Sequence, residues 1–218
     1  SLPCFVGLRS TLLLEQEFNL RIVWLPMTTA LSRASDLRLT ANAADPLAAY
    51  KRRRQIARQK WATEVLTRDC VLADIPLAHG ARAVDSAVAA MGLLYLRNQY
   101  LRNQHMNNQS LKNQHLNNQG DSGTSDAGPL VQRLFEVVFR EARDPDITDV
   151  CNFLNDSSFA DYAAGKGPTE LTEWQNRLQE AGIFMAPAYV LDGEIFMGRQ
   201  HLPLLRWHLG GRPGTPPG

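Results

Sequence analysis

Two short stretches near opposite ends of the chain carry residue types that can do chemistry. The first is Ser1-Leu2-Pro3-Cys4, a hydroxyl and a thiol three positions apart. It opens a segment, residues 3–18, in which Phe5, Leu8 and Leu12 recur at helical spacing while Val6 and Leu13 broaden the stripe. The start of a helix is the positive end of its dipole and favours an anion such as a thiolate. One cysteine cannot cycle between dithiol and disulfide. The chemistry on offer is therefore a thiolate at Cys4, or a Ser1 hydroxyl that donates to an anion. Each residue also has a plain structural reading, Ser1 as a helix cap and Cys4 as a small core residue. The second stretch is Met185-Ala186-Pro187-Ala188, which leads into an apolar strand. A third feature, Lys51, Arg52, Arg53, Arg54, Arg58 and Lys60, reads as a solvated helix face, or as cations that reach the carboxylates of an acidic ligand.

The composition narrows the function classes. The chain has 218 residues, with 23 Lys plus Arg against 22 Asp plus Glu. A net charge of +1 excludes a globally basic nucleic-acid binder, and the basic run lacks the aromatic interleaving such a binder uses. No apolar run nears the roughly 18 residues a membrane helix needs; the longest spans Ala87 to Leu96. Cys4, Cys70 and Cys151 are odd in number and widely spaced, which argues against a disulfide scaffold or a zinc site. No metal is expected, and a reducing, cytoplasmic setting is.

The elements that must position these groups follow from periodicity. After the first helix, Leu20 to Met27 reads as a buried strand. Helices are expected over Pro46 to Thr67, Gly80 to Leu96 and Leu130 to Arg143, with shorter turns over Asp146–Leu154 and Ser158–Ala164. An amphipathic helix, Thr169 to Ala181, stops at Gly182. Ala188–Leu191 and Glu194–Met197 read as a hairpin joined by Asp192-Gly193, a strong turn signal. A last helix spans Gln200 to Leu209, followed by a Pro/Gly-rich tail, residues 212–218. Five pentads, LRNQY, LRNQH, MNNQS, LKNQH and LNNQG, interrupt this order from Leu96 to Gly120. Each pentad turns a helix by roughly 500°, so its leucines spiral around it. The tract, with the polar linker to Gly128, is read as a low-complexity surface loop, and its histidines, His105 and His115, are too sparse to ligate a metal.

Helix, strand, helical insertion, helix, hairpin and helix form an α/β layout. One strand placed before Ser1 makes it βαβ followed by ββα, the thioredoxin-like fold, with an inserted all-helical domain and its first strand expected upstream. In that fold a cis-proline precedes the hairpin, the place of Pro187. The chain resembles the DsbA-like superfamily, and within it the branch of 2-hydroxychromene-2-carboxylate isomerase and kappa-class glutathione transferase. The residues that carry the resemblance are GIFMAPAYVLDGEIFMGRQHL within Glu173–Leu209, the motif, helix and strand of Ser1–Met27, and Val131–Val150.

The resemblance implies a glutathione-dependent isomerase or transferase in which Ser1 is catalytic. The Ser1 hydroxyl would stabilise a glutathione thiolate, which adds to a small electrophilic organic substrate. Ala186, Pro187, Gln200 and His201 fall where the branch binds glutathione. Two departures concern that contact. Gln200 stands where an Asp would grip the γ-glutamyl amine, and His201 where the branch has Arg; an amide forgoes the charge-assisted part of the bond. Leu2 also separates Ser1 from Pro3, where the branch has the proline next to the serine. The alternatives are a thiol oxidoreductase using Cys4, and a catalytically inactive scaffold assembled through the pentads. The expected organisation is a thioredoxin-like part in residues 1–30 and 166–211 around a helical insertion, 31–165, with the pentad loop at 96–128. A homodimer is expected by the same analogy, with neither nucleic acid nor membrane as partner.

Overall fold

The computed structural model describes residues 1–28, 46–72, 75, 84–111 and 127–217. Its elements are α1 (Leu2–Phe18), α2 (Pro46–Leu72), α3 (Ala87–Leu111), α4 (Gly128–Phe139), α5 (Ile147–Leu154), α6 (Ser158–Ala164), α7 (Gly167–Glu180), β1 (Ala188–Leu191), β2 (Glu194–Met197), a 3-10 turn (Arg199–His201) and α8 (Leu202–Leu209). Among the described residues the sheet is a single antiparallel hairpin, with Tyr189 opposite Phe196 and Val190 opposite Ile195. Asp192 and Gly193 both take positive φ, 51° and 83°, the turn that matches the twist of a two-residue hairpin.

Three apolar clusters hold these elements together. The helical one packs Leu94 and Tyr95 of α3, Leu130 and Leu134 of α4, Val150 of α5, Phe159 and Tyr162 of α6 and Leu171 of α7. A second joins Leu2, Phe5 and Leu8 of α1 to Cys70 of α2 and to Val131, Val138 and Phe139 of α4. The third sets Leu14 of α1 against Phe196 of β2 and Leu205 of α8. Helix α1 is common to the last two, so it is the wall between the helical body and the hairpin.

Two expectations differ from the structure. Leu20 to Met27 forms no strand. Side chains take up backbone groups that a neighbouring strand would otherwise use: Ile22 N donates to Glu15 Oε1 at 2.6 Å, Thr28 N donates to Gln175 Oε1 at 3.0 Å, and Pro26 O accepts from Trp174 Nε1 at 2.9 Å. The pentad tract is not a loop throughout, because α3 continues through it to Leu111. Pentads past that residue lie outside the described residues, as do residues 29–45 and the start of the helix expected from Gly80. None of the helices among the described residues is long and apolar enough to cross a membrane.

Helix α5 begins with a reciprocal cap. Asp149 N donates to Asp146 Oδ1 at 2.8 Å and Asp146 N donates to Asp149 Oδ2 at 2.9 Å. Arg143 adds two bonds to the Asp149 carboxylate, at 2.5 and 2.6 Å, which hold its pKa below the usual carboxylate range. A lowered folded-state pKa adds stability above the unfolded value, about pH 4, and that stability goes as pH falls through the folded value. Asp149→Asn is therefore expected to lower the melting temperature at neutral pH and to blunt its fall below about pH 4. Thermal melts followed by circular dichroism across that range check it.

Candidate functional site

Helix α1 presents Cys4, Gly7 and Thr11 at i, i+3 and i+7, one face of the helix, toward β1. Gly7 makes the approach possible. A Cβ there would stand 3.4 Å from the Tyr189 hydroxyl and 3.5 Å from Arg199 Cβ. The Thr11 hydroxyl donates to Gly7 O at 2.9 Å and lies 3.3 Å from the Tyr189 hydroxyl. Its one hydrogen is spent on Gly7 O, so the phenol is the donor in the second contact. Burial pushes the Tyr189 phenol pKa up. Tyr189 is thus a neutral phenol at physiological pH, held on the α1 face two residues after Pro187.

Ser1 is the N-cap residue of α1, but its side chain caps no backbone amide. Its Oγ donates instead to Cys4 Sγ at 3.1 Å, on the exposed end of the helix. Cys4 is half-buried rather than a sealed core thiol. Cys70 is the sealed one, 2% exposed, with its thiol pKa raised by burial, which makes it a poor nucleophile. The Ala186–Pro187 bond is cis, and Pro187 O accepts from Gly198 N at 2.7 Å, which ties the entry of β1 to the exit of β2.

The structure connects α1 to the segment after Pro187 through Tyr189, and to the turn after β2 through Arg199. Gln200 and His201 sit in that turn. Gln200 folds back on its own loop, Nε2 donating to Met197 O at 3.1 Å, and the His201 ring lies 6.2 Å from that of Phe196. Arg199, one residue earlier, pairs with Asp69 of α2. Both members are partly buried, so the pair fixes the end of α2 beside the α1–β1 seam. The sequence reading missed Tyr189, Thr11, Asp69 and Arg199. The signal for the first two was present: Thr11 continues the face of Cys4, and Tyr189 has the strand parity of Leu191, which packs with it in the hairpin cluster. The ion pair spans 130 positions and leaves no local signal.

This arrangement supplies a hydroxyl donor and the start of a helix at one end of a seam. A half-buried phenol and the backbone of Pro187 stand along it. A hydroxyl donor at a helix start favours an anion held there.

No protein-family model matches the chain, and no curated protein matches it. Among solved structures it is similar to that of 2-hydroxychromene-2-carboxylate isomerase (HCCA isomerase), with a TM-score of 0.62 and 18% identity over 97% of this chain and 90% of that one. A helix-rich body with a small hairpin agrees with the thioredoxin-like layout read from the residues, and the chain shares the overall fold of HCCA isomerase.

Proposed function

We propose that the chain is a glutathione-dependent isomerase or transferase in which Ser1 stabilises the glutathione thiolate. The observation that carries this reading is the seam itself: the Ser1–Cys4 end of α1 with Tyr189 packed on the same helix face, two residues after a cis Ala186–Pro187 bond. The likeness in fold to HCCA isomerase supports it. The Ser1 hydroxyl has one hydrogen, so it serves either Cys4 Sγ or a ligand sulfur. Backbone groups at Ala186 and Pro187 would pair with the extended ligand, and Gln200 and His201 would reach its γ-glutamyl end.

The proposed chemistry balances without an added oxidant or reductant. The thiolate lone pair forms a C–S bond to the β-carbon of a conjugated carbonyl substrate, and the displaced π pair moves to the carbonyl oxygen as an enolate. The bond, now single, rotates. The enolate then reforms the double bond and expels the thiolate. With an electrophile that carries a leaving group, the same thiolate gives a conjugate instead. The same proposal assigns residues 1–30 and 166–211 to a thioredoxin-like part and 31–165 to an inserted helical domain. It also includes a cytoplasmic homodimer.

Calorimetric titration with glutathione tests it. The unaltered chain is expected to bind, and Ser1→Ala to bind about tenfold more weakly, the worth of one charge-assisted hydrogen bond. Absence of binding to the unaltered chain removes glutathione from the reading.

One contact favours a second reading. The Ser1 hydroxyl donates to Cys4 Sγ, and a donor of that kind stabilises a thiolate on Cys4 itself. Alkylation of the folded chain by iodoacetamide separates the two. Rapid labelling of Cys4 at neutral pH moves the chemistry to the thiol, and slow labelling leaves it with Ser1.

A further inference from the structure

Helices α3 and α7 face each other across a cleft of about 410 Å³, which shares no lining residue with the α1–β1 seam. Helix α3 contributes Leu94, Arg97, Asn98, Leu101 and Arg102, spaced i, i+3, i+4, i+7 and i+8. That spacing is one helix face. It explains how the first two pentads, which repeat every five residues, put both arginines along the same groove. Helix α7 and the residue before it contribute Lys166, Glu170, Glu173, Trp174 and Arg177, again one face.

The charges are arranged unequally. Each carboxylate already has partners. Glu170 pairs with Lys166 at 3.0 Å and accepts from Asn98 Nδ2 at 2.7 Å and from the Tyr162 hydroxyl at 2.9 Å. Glu173 pairs with Arg177 at 3.9 Å. Four cations against two carboxylates leave two positive charges, and among the described residues Arg97 and Arg102 pair with no carboxylate. Neither guanidinium is loose. Arg97 lies over the Trp174 ring, 4.6 Å from its centroid, and that ring is pinned where Nε1 donates to Pro26 O at 2.9 Å. The Arg102 Nε donates to Asn98 O at 3.2 Å, leaving its terminal N–H groups free to bind. Two guanidinium groups held in place, with spare donors, are a preorganised receptor for an oxyanion. Leu94 and Leu101 line the same groove, and Leu101 is 39% exposed, an apolar surface beside the arginines. The volume suits a small organic molecule.

We propose that the cleft between α3 and α7 binds a small organic phosphate monoester. The dianionic phosphate sits between Arg97 and Arg102, and the apolar body lies on Leu101. The inference is independent of the function proposed for the α1–β1 seam.

Calorimetric titration of the full chain with phenyl phosphate, inorganic phosphate and phenol tests it. Phenyl phosphate is expected to bind more tightly than inorganic phosphate, phenol not to bind, and added salt to weaken the phosphate complexes. The double substitution Arg97→Gln, Arg102→Gln should weaken phenyl phosphate about tenfold or more. Leu101→Glu, at an exposed position, should do the same by adding a carboxylate, with the helical circular dichroism signal unchanged in either variant. Failure of the unaltered chain to bind phenyl phosphate overturns the proposal. So does equal affinity for inorganic phosphate, or unchanged affinity in both variants.

Discussion

Phe159→Ala is expected to destabilise the chain by about 3–5 kcal/mol, the usual cost of emptying a large buried ring site. Phe159 is 0% exposed and sits where α6 meets α3. Its ring meets Tyr95 edge-on at 5.6 Å and Tyr162 at 6.1 Å, so truncation removes apolar area and two aromatic contacts at once. Neither tyrosine can collapse freely into the space. The Tyr95 hydroxyl donates to Asp156 at 2.7 Å and the Tyr162 hydroxyl donates to Glu170 at 2.9 Å, and swinging either ring inward breaks one of those bonds. A domain of this kind has about 5–15 kcal/mol of stability in all, so the loss is a large share. Urea denaturation should show the midpoint falling with little change in slope. A loss under about 1 kcal/mol would mean that the α3–α6 cluster is not the centre of the helical body.

The hairpin was legible to the residue, because Asp192-Gly193 accepts positive φ at both turn positions and fixes the register between two apolar runs. Helix α1 was legible from the spacing of Phe5 and Leu8. The strand expected over Leu20–Met27 rested on an apolar run taken as buried, but Val23 is 71% and Leu25 43% exposed, so the run recorded neither burial nor a ladder partner. There the backbone is satisfied by Glu15 and by α7, contacts that periodicity does not encode. The pentads misled for a related reason. A period of five fits no helix face when all its leucines are asked to lie together, yet Arg97, Asn98, Leu101 and Arg102 of the first two pentads share a face with Leu94, which precedes them. At the candidate site, Ser1 and Pro187 stood out because their types are tied to helix starts and strand entries. Tyr189 with Thr11, and Asp69 with Arg199, are pairings between residues 178 and 130 positions apart, visible only after folding.

Gly7 decides whether the seam exists, and two substitutions there should act with opposite sign. Its Cβ position lies 3.4 Å from the Tyr189 hydroxyl, 3.5 Å from Arg199 Cβ and 4.0 Å from Leu202 Cδ1, all ordinary contact distances. Alanine therefore fits, and it removes the backbone freedom that glycine gives up in a helix, so Gly7→Ala should stabilise the fold by up to about 1 kcal/mol. Leucine does not fit, because its outer carbons have no free path past the phenol, the arginine stem and α8. Gly7→Leu should destabilise by about 1–3 kcal/mol, the cost of overpacking. The strain falls where α1 meets β1, so the same change should push Tyr189 off Thr11. If the seam is the glutathione site, affinity should be retained in Gly7→Ala and lost in Gly7→Leu at temperatures where both remain folded. Thermal melts give the stabilities and calorimetry gives the binding. A Gly7→Leu chain that melts like the parent would show that α1 and β1 are not packed through this residue, and the seam could not then hold a ligand in the way proposed.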